Sequence, residues 1–224
     1  TTNVTKNGNT VTVKYTWFLA QGSNGTNDSI TPSKTTQADE NTQKTAQSAK
    51  SFKDVRDDAY YAAAVKWAVD KNITTGTSAT TFSPDDTCTR AQILTFLWRA
   101  VGSPKYDSFM AFNDVISNAY YFDAATWAKG KDMVSGNMFE PNLPCTRAFT
   151  VLYLWKNAGS PKTEATNVFS DVDSSADYAQ AVSWAVKNGV TSGTSATTFS
   201  PNDTCTRGQI VTFLNRALAS ENIT

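Results

Sequence analysis

The sequence predicts a mainly α protein made of three helix–loop–helix repeats, preceded by a short N-terminal β segment. The main observation behind this prediction is an internal repeat, because the run from Thr75 to Ile93 recurs almost unchanged from Ser192 to Ile210. A shortened copy runs from Ser135 to Phe149. Equivalent residues lie 57 or 60 positions apart, since the middle copy lacks three loop residues. A fixed period of this kind indicates one supersecondary unit that is repeated and stacked.

Helical periodicity is the second observation. In each repeat, apolar residues recur at three- and four-residue steps before and after the repeated loop. In repeat one, the first helix is marked by Tyr61, Ala64, Val65, Ala68 and Val69, and the second by Ile93, Leu94, Phe96, Leu97 and Ala100. The second helices are expected to begin within a residue or two of three equivalent threonines: Thr89, Thr146 and Thr206.

Alternation of polar and apolar residues is the third observation, and it marks the start of the chain. Val4–Lys6 and Thr10–Tyr15 alternate around Asn7-Gly8, which is a strong hairpin signal. We interpret residues 1–20 as a β-hairpin that forms the tail of an upstream domain, because one hairpin cannot bury itself. Residues 21–50 have the composition of a polar linker. The repeats are predicted to span residues 51–105, 109–161 and 166–219.

The composition argues against several functions. Twenty basic and twenty acidic residues cancel, whereas a nucleic-acid binder usually carries a basic excess, so no nucleic-acid partner is expected. No stretch approaches the roughly 20 apolar residues that a membrane helix requires, so no membrane insertion is expected. The chain has no histidine, and we predict neither a metal site nor a cofactor. We interpret the three cysteines as reduced, buried small residues: Cys88, Cys145 and Cys205.

Each second helix is predicted to begin with a threonine cap. Thr89-Arg-Ala-Gln92 and Thr206-Arg-Gly-Gln209 have the form of a capping box, in which the Thr hydroxyl accepts from the third helical amide and the Gln side chain accepts from the Thr amide. Repeat two keeps the cap, Thr146, but has Phe149 in place of the glutamine. A cap is therefore expected in all three repeats and a complete box in two.

An arginine follows each of these threonines, at a position where the helix dipole favours negative charge. The three arginines are Arg90, Arg147 and Arg207. From the residues alone, two explanations remain open. The guanidinium pairs with an internal carboxylate, for which the candidates are three aspartates that we also expect to be structural caps: Asp54, Asp114 and Asp171. Alternatively, it grips an external anion together with the unbonded amides of the helix start.

Three motifs recur in this chain and together point to a family. In repeat one they are the Phe-x-Asp-Val opening at Phe52–Val55, the Gly-x-x-x-x-Thr-Phe-x-Pro loop at Gly76–Pro84 and the helix start at Thr89–Gln92. With these motifs, the chain from Phe52 to about Leu218 resembles three consecutive S-layer homology domains. The resemblance implies a bundle of repeats around a pseudo-threefold axis. It also implies grooves between neighbouring repeats that bind secondary cell-wall polymers, often ending in pyruvylated N-acetylmannosamine.

The resemblance further implies which residues bind. The family's ligand-binding arginine corresponds to the three helix-start arginines, Arg90, Arg147 and Arg207, and we expect the groove residues beside them to be Gln92, Gln209, Gly76 and Gly193. The family's glutamate is replaced by glutamine or phenylalanine in every repeat, and repeat two has the shortened loop. The groove at Arg147 is therefore expected to bind most weakly.

The function expected from the resemblance is the anchoring of a secreted protein to the cell wall of a Gram-positive-type bacterium, with a cargo domain upstream of this fragment. The alternative is a structural or assembly module whose helix-start arginines are paired internally with aspartates. An enzyme is disfavoured, because glycosidases need two carboxylates at a defined separation. Glu140, the one glutamate in the repeated loops, has no counterpart in the sister repeats.

Overall fold

The computed structural model describes residues 51–106, 112–164 and 169–219, together with the backbone of residues 2–7 and 10–15. The chain divides into two compact units, Thr1–Ala46 and Gln47–Thr224. In the first unit, β1 (Thr2–Asn7) and β2 (Thr10–Tyr15) form an antiparallel pair. Asn7 lies opposite Thr10, so two residues connect the strands, as is common in hairpins. The prediction of a short N-terminal β segment is confirmed.

Six helices lie in the described part of the second unit, two in each repeat. They are α1 (Ala62–Asp70), α2 (Arg90–Ala100), α3 (Phe122–Gly130), α4 (Arg147–Asn157), α5 (Ala179–Lys187) and α6 (Arg207–Leu218). The mainly α architecture is confirmed, and each second helix begins directly after its threonine. Within the described residues, no helix combines the length and apolarity needed to cross a membrane.

Threonine caps start the second helices as the sequence predicts. The Thr89 hydroxyl accepts from the Gln92 amide while the Gln92 side chain accepts from the Thr89 amide, and Thr206 and Gln209 form the same box. Thr146 accepts from the amide of Phe149, which has no side-chain acceptor to return. Two complete boxes and one simple cap are therefore present.

The aspartate of each opening motif holds the connecting loop of its own repeat. The Asp54 carboxylate accepts from the amides of Phe82 and Ser83, at 2.9 and 2.7 Å. Asp114 and Asp171 accept from the equivalent amides in repeats two and three. Burial by itself raises the pKa of the Asp54 carboxyl, but the amide hydrogen bonds outweigh burial and hold the pKa below its ordinary value.

The repeats close into a ring because each first helix packs on a second helix from another repeat. Helix α3 packs on α2, α5 packs on α4, and α1 returns to pack on α6, while α2, α4 and α6 contact one another at the centre. One core of buried apolar side chains runs through all three repeats. This cyclic packing gives the pseudo-threefold bundle that the family resemblance implies.

The three cysteines meet at the centre of this ring. The Cys88 amide donates to the Cys205 carbonyl at 3.1 Å. In the same way, the Cys205 amide donates to the Cys145 carbonyl and the Cys145 amide donates to the Cys88 carbonyl, both at 2.8 Å. All three thiols are free and at most 1% exposed, and burial raises the pKa of Cys88 to about 12. The prediction of reduced, buried cysteines is confirmed. The sequence did not indicate that equivalent sites in separate repeats would meet.

We expect the loop-holding aspartates to make the fold sensitive to acid. In Asp171→Asn one of the two acceptor oxygens becomes an NH₂ group, so one loop amide loses its acceptor and the other bond loses its charge. The substitution should lower the free energy of unfolding by about 1–2 kcal/mol near neutral pH, since the carboxylate is partly solvated. The folded-state pKa of Asp171 is lowered: burial alone raises it, and hydrogen bonds from the Phe199 and Ser200 amides outweigh burial. Its stabilising contribution is therefore present above the unfolded pKa of about 3.9 and is lost as the pH falls through the folded value.

Urea unfolding of the parent and Asp171→Asn, followed by circular dichroism across this pH range, measures the effect. The difference between the two proteins should shrink as the pH falls. Asp57→Asn, at an exposed position of repeat one and outside the ion pairs of the described residues, is the matched control. A difference that stays constant down to the lowest pH would contradict the assignment.

Candidate ligand-binding grooves between the repeats

The amides at each second-helix start are already hydrogen bonded to a neighbouring repeat. In α2, the Arg90 amide donates to the Leu143 carbonyl at 2.9 Å and the Ala91 amide donates to the Pro141 carbonyl at 3.0 Å. The starts of α4 and α6 are bonded in the same way by the loops of repeats three and one. The expectation that free helix amides help to bind an external anion is therefore wrong, because loop carbonyls satisfy these amides.

Two of the three arginines are buried against phenylalanines of a neighbouring repeat. Arg207 is 5% exposed, and its Nε donates to the Phe82 carbonyl at 2.8 Å. Its guanidinium carbon lies 4.8 Å from the Phe82 ring centroid and 5.4 Å from that of Phe96. The equivalent contacts are made by Arg147, 4% exposed, with Phe199 and Phe213.

Each groove consequently takes its arginine from another repeat. Arg207 of repeat three reaches the loop and second helix of repeat one, Arg147 of repeat two reaches repeat three, and Arg90 of repeat one reaches repeat two. The expectation that Phe149 and the shortened loop alter the surroundings of Arg147 is therefore wrong. Phe149 and the shortened loop of repeat two lie beside Arg90 instead.

The first groove is formed by repeats one, two and three together. It is a cavity of about 150 Å³ lined by residues that include Gly76, Gln92, Phe96, Arg99, Tyr120 and Arg207. Arg99 also donates to the Ile73 carbonyl at 3.1 Å, which fixes its position on the last turn of α2. None of the lining residues is acidic. Two guanidinium groups thus share one open cavity without a lining carboxylate, which favours an anionic occupant.

Gly76 has a steric role in this groove. Its φ of +87° lies in the left-handed region, and a Cβ there would overlap the Thr81 carbonyl and the Phe52 ring. Gly193, with a φ of +91°, is constrained in the same way by Thr198 and Phe169. Both glycines were expected to line grooves, and the structure places Gly76 in the lining of the first.

The third groove is built around Arg147 and carries an unsatisfied donor. The Nη2 of Arg147 is buried and has no hydrogen-bond partner, and burial lowers the pKa of this arginine. Gln209 occupies the position on α6 that Gln92 occupies on α2. Tyr60, which is 62% exposed like Tyr120, occupies the equivalent position at the rim. The third groove therefore repeats the residue types of the first.

The second groove differs because its arginine has an internal partner. Arg90 forms an ion pair with Glu140, and its guanidinium carbon lies 4.7 Å from the Phe149 ring centroid. Glu140 has a φ of +56° and stands at the position of Ser83 and Ser200 in the sister loops, where φ is 57° and 58°. The Arg90 side chain is 26% exposed, so this pair is partly solvated.

The proposed pairing of the arginines with aspartates is not found. Of the three helix-start arginines, Arg90 forms an ion pair within the described residues, and its partner is Glu140. Asp54, Asp114 and Asp171 instead accept from loop amides. Two of the aspartates still support an arginine indirectly: Asp171 binds the amide of Phe199, whose carbonyl accepts from Arg147, and Asp54 acts on Arg207 through Phe82 in the same way.

Sequence reasoning missed Arg99, Phe96 and Tyr120 as groove residues. Arg99 has a counterpart in Arg216, and Phe96 in Phe213, so the repeat itself carried a signal. That signal could not be separated from core packing, because both residues follow the helical period. Tyr120 belongs to a different repeat from the loop it faces, and only the packing of α3 on α2 brings it there.

We expect the buried arginines to matter more for stability than Arg90. Arg207→Ala should lower the free energy of unfolding by about 2–3 kcal/mol, because it leaves the Phe82 carbonyl without its donor and removes two cation–ring contacts. Arg147→Ala should act similarly. Arg90→Ala should cost less, about 1 kcal/mol, because its ion pair is partly solvated, its buried Nε has no partner to lose, and it loses one cation–ring contact where Arg207 loses two. Urea unfolding of the three variants measures this order, and equal losses would contradict it.

Comparisons with known proteins agree with the architecture. The model of the S-layer homology domain matches residues 51–94, 111–148 and 168–211, more than half of the chain. A protein named endoglucanase from Bacillus sp. (strain KSM-635) is 34% identical over 113 residues. The match covers 49% of this chain and 12% of the relative, so the chain spans a small part of that protein. The chain belongs to the S-layer homology family, whose domains are binding modules that generally anchor surface proteins to the cell wall.

Proposed function

We propose that this module holds a secreted protein on the cell wall non-covalently by binding an anionic secondary cell-wall polysaccharide in its inter-repeat grooves. A pyruvylated N-acetylmannosamine end suits these grooves, because a pyruvyl ketal carries one carboxylate on a sugar ring. The observation that carries the proposal is the first groove, where Arg99 and Arg207 line one cavity without an acidic neighbour in the lining. A planar guanidinium binds a carboxylate through two parallel hydrogen bonds.

The groove is preorganised for such a ligand. The bond from Arg207 Nε to the Phe82 carbonyl fixes the plane of the guanidinium. Gln92 accepts from the Thr89 amide through its side-chain oxygen, so its NH₂ group remains a donor. A glutamate at this position would bring a negative charge into the cavity, whereas the glutamine brings none. The first groove therefore favours an anion by its own composition.

The third groove is proposed to bind the same ligand. The Nη2 of Arg147 is a buried charged donor without an acceptor, which is costly in a folded protein. A ligand oxygen would satisfy it. This reverses the order expected from the sequence, because Arg147 now belongs to a groove with glutamine and Arg90 belongs to the groove with Phe149.

The second groove is proposed to be closed by its own side chain. The Glu140 carboxylate forms the ion pair with Arg90 that a ligand carboxylate would otherwise form. Tyr120 and Tyr60 lie at the rims of the first and third grooves, and the equivalent residue at the second groove is Asp177 of repeat three. Two carboxylates in or near this groove disfavour an anionic ligand.

The rival functions have less support. A structural module with arginine–aspartate pairs lacks those pairs, since the aspartates bind loop amides. A catalytic module would need paired carboxylates in a cleft, and the lining of the first groove contains none. We therefore propose a non-catalytic anchor with a covalently linked cargo domain, in a Gram-positive-type cell wall.

We expect Arg207→Ala to weaken binding to purified cell walls about ten-fold or more, since it removes a charge-assisted bidentate contact. Arg207→Lys should also bind weakly, because an ammonium group cannot reproduce the planar fork. Wall pull-down titrations are done at a temperature where circular dichroism shows each variant folded. Arg56→Ala, which removes an exposed charge paired with Asp58, is the control. The parent should lose binding when walls are stripped of non-peptidoglycan polymer, and persistent binding to stripped walls would falsify the polymer assignment.

We expect Glu140→Ser to open the second groove. Serine stands at this position in the sister loops with the same positive φ, so the loop should keep its shape while Arg90 loses its internal partner. Titration calorimetry with pyruvylated N-acetylmannosamine should then detect one additional, weaker site per chain. Asp123→Ser, which removes an equal charge from the exposed face of α3, is the control. An unchanged number of sites would show that Glu140 does not close this groove.

A further inference from the structure

A larger cavity lies where the C-terminal ends of α4, α5 and α6 meet. It has a volume of about 420 Å³ and is lined by residues that include Lys162, Thr163, Trp184, Lys187, Asn188 and Arg216. We call it the α5 pocket. Its volume falls within the range of small-molecule sites. None of the helix-start arginines, capping glutamines or loop glycines of the grooves lines it.

The equivalent junction between repeats one and two is filled by a tyrosine. Tyr106 donates through its hydroxyl to the Gly130 carbonyl at 2.8 Å, and its ring lies where a Cβ on Gly130 would be. At the α5 pocket, Thr163 takes the place of this tyrosine and Lys187 takes the place of this glycine. The two replacements remove a ring and add a cation at the same place.

The tryptophan of the junction changes with them. Trp127 is 1% exposed in repeat two, whereas the equivalent Trp184 is partly exposed and lines the pocket. The facing wall is fixed, because Trp155 donates through Nε1 to the Pro161 carbonyl at 2.9 Å. Arg216 is held at the other side by donating to the Val190 carbonyl at 3.2 Å. The pocket is thus already formed in the structure.

The lining combines three cations with an aromatic ring and polar donors. Lys162, Lys187 and Arg216 come from three different elements, and none of the lining residues is acidic. Within the described residues, neither lysine takes part in an ion pair. The acidic residue nearest to Lys162 in the sequence is Glu164, which is exposed and does not line the pocket. The Thr163 hydroxyl donates to the Pro161 carbonyl and can still accept, and the Asn188 NH₂ group keeps one hydrogen beyond its bond to the Trp184 carbonyl. A flat apolar ring beside amide and cationic donors suits a sugar ring that carries a carboxylate.

We propose that the α5 pocket binds an acidic saccharide, with the sugar ring against Trp184 and the carboxylate between Lys187 and Arg216. The site is separate from the arginine grooves and does not depend on them. It gives the module a contact with a charged glycan at the ends of its helices as well as at their starts.

The test uses digalacturonate as the probe and galactobiose as its uncharged counterpart. Binding is followed by the indole N–H resonance of Trp184, which Trp184→Phe identifies by removing it. Digalacturonate should shift this resonance saturably, and galactobiose should bind at least about five-fold more weakly because it lacks the charge. The double variant Thr163→Tyr with Lys187→Gly, which copies the filled junction of repeats one and two, should weaken binding about ten-fold or more. Lys187→Ala should weaken it by a smaller factor, and the exposed Lys131→Ala should leave it unchanged.

The outcomes separate this proposal from the grooves. Arg207→Ala should lose wall binding while the Trp184 resonance still responds to digalacturonate. If the double variant fails to fold, the comparison of Lys187→Ala with Lys131→Ala decides. No saturable shift in the parent, equal binding of galactobiose, or equal effects of Lys187→Ala and Lys131→Ala would overturn the proposal.

Discussion

The structure depends on a cyclic exchange of backbone hydrogen bonds between the repeats. The amides and carbonyls of Cys88, Cys145 and Cys205 close a ring at the centre, with each cysteine donating to one neighbour and accepting from the other. Just outside it, two carbonyls in the loop of each repeat accept hydrogen bonds from the amides at the helix start of another repeat. A helix start that is buried without acceptors would be costly. A single repeat cannot satisfy its own helix start in this way, so the three repeats must assemble for any one of them to be complete.

This exchange also builds the grooves. Because the loop that covers a helix start comes from another repeat, two of the arginines lie against the phenylalanine of that loop: Arg207 against Phe82 and Arg147 against Phe199. The aspartate that holds the loop then acts on the arginine through the backbone, without an ion pair. The buried guanidinium is positioned by a carbonyl and two rings, and within the described residues neither Arg147 nor Arg207 forms an ion pair with an aspartate.

Small sequence differences between the repeats give the three grooves different properties. One loop position with positive φ is serine in repeats one and three and Glu140 in repeat two, so the second groove contains a carboxylate that pairs with Arg90. Tyr106 and Gly130 fill the junction between repeats one and two, whereas the equivalent Thr163 and Lys187 line the open α5 pocket. At the loop position the backbone is the same in all three repeats, with φ of 57°, 56° and 58°, because each repeat keeps the hydrogen bond from this amide to its aspartate. Repetition thus supplies the scaffold, and the departures from it determine where the grooves and junctions differ from one another.

The sequence by itself determined the elements of this protein. The apolar period and the Thr-x-x-Gln boxes are local, so helix positions, caps and the start of each second helix followed from neighbouring residues. It also indicated the three arginines around which the proposed binding grooves are built. Only the tertiary structure decided which repeat each arginine serves, since that depends on contacts more than 50 residues apart, such as Arg147 with Phe199 and Arg207 with Phe82. The meeting of the cysteines and the closure of Arg90 by Glu140 were hidden for the same reason. A repeat pattern shows that equivalent units stack, but the partner of each side chain is set by the closure of the ring.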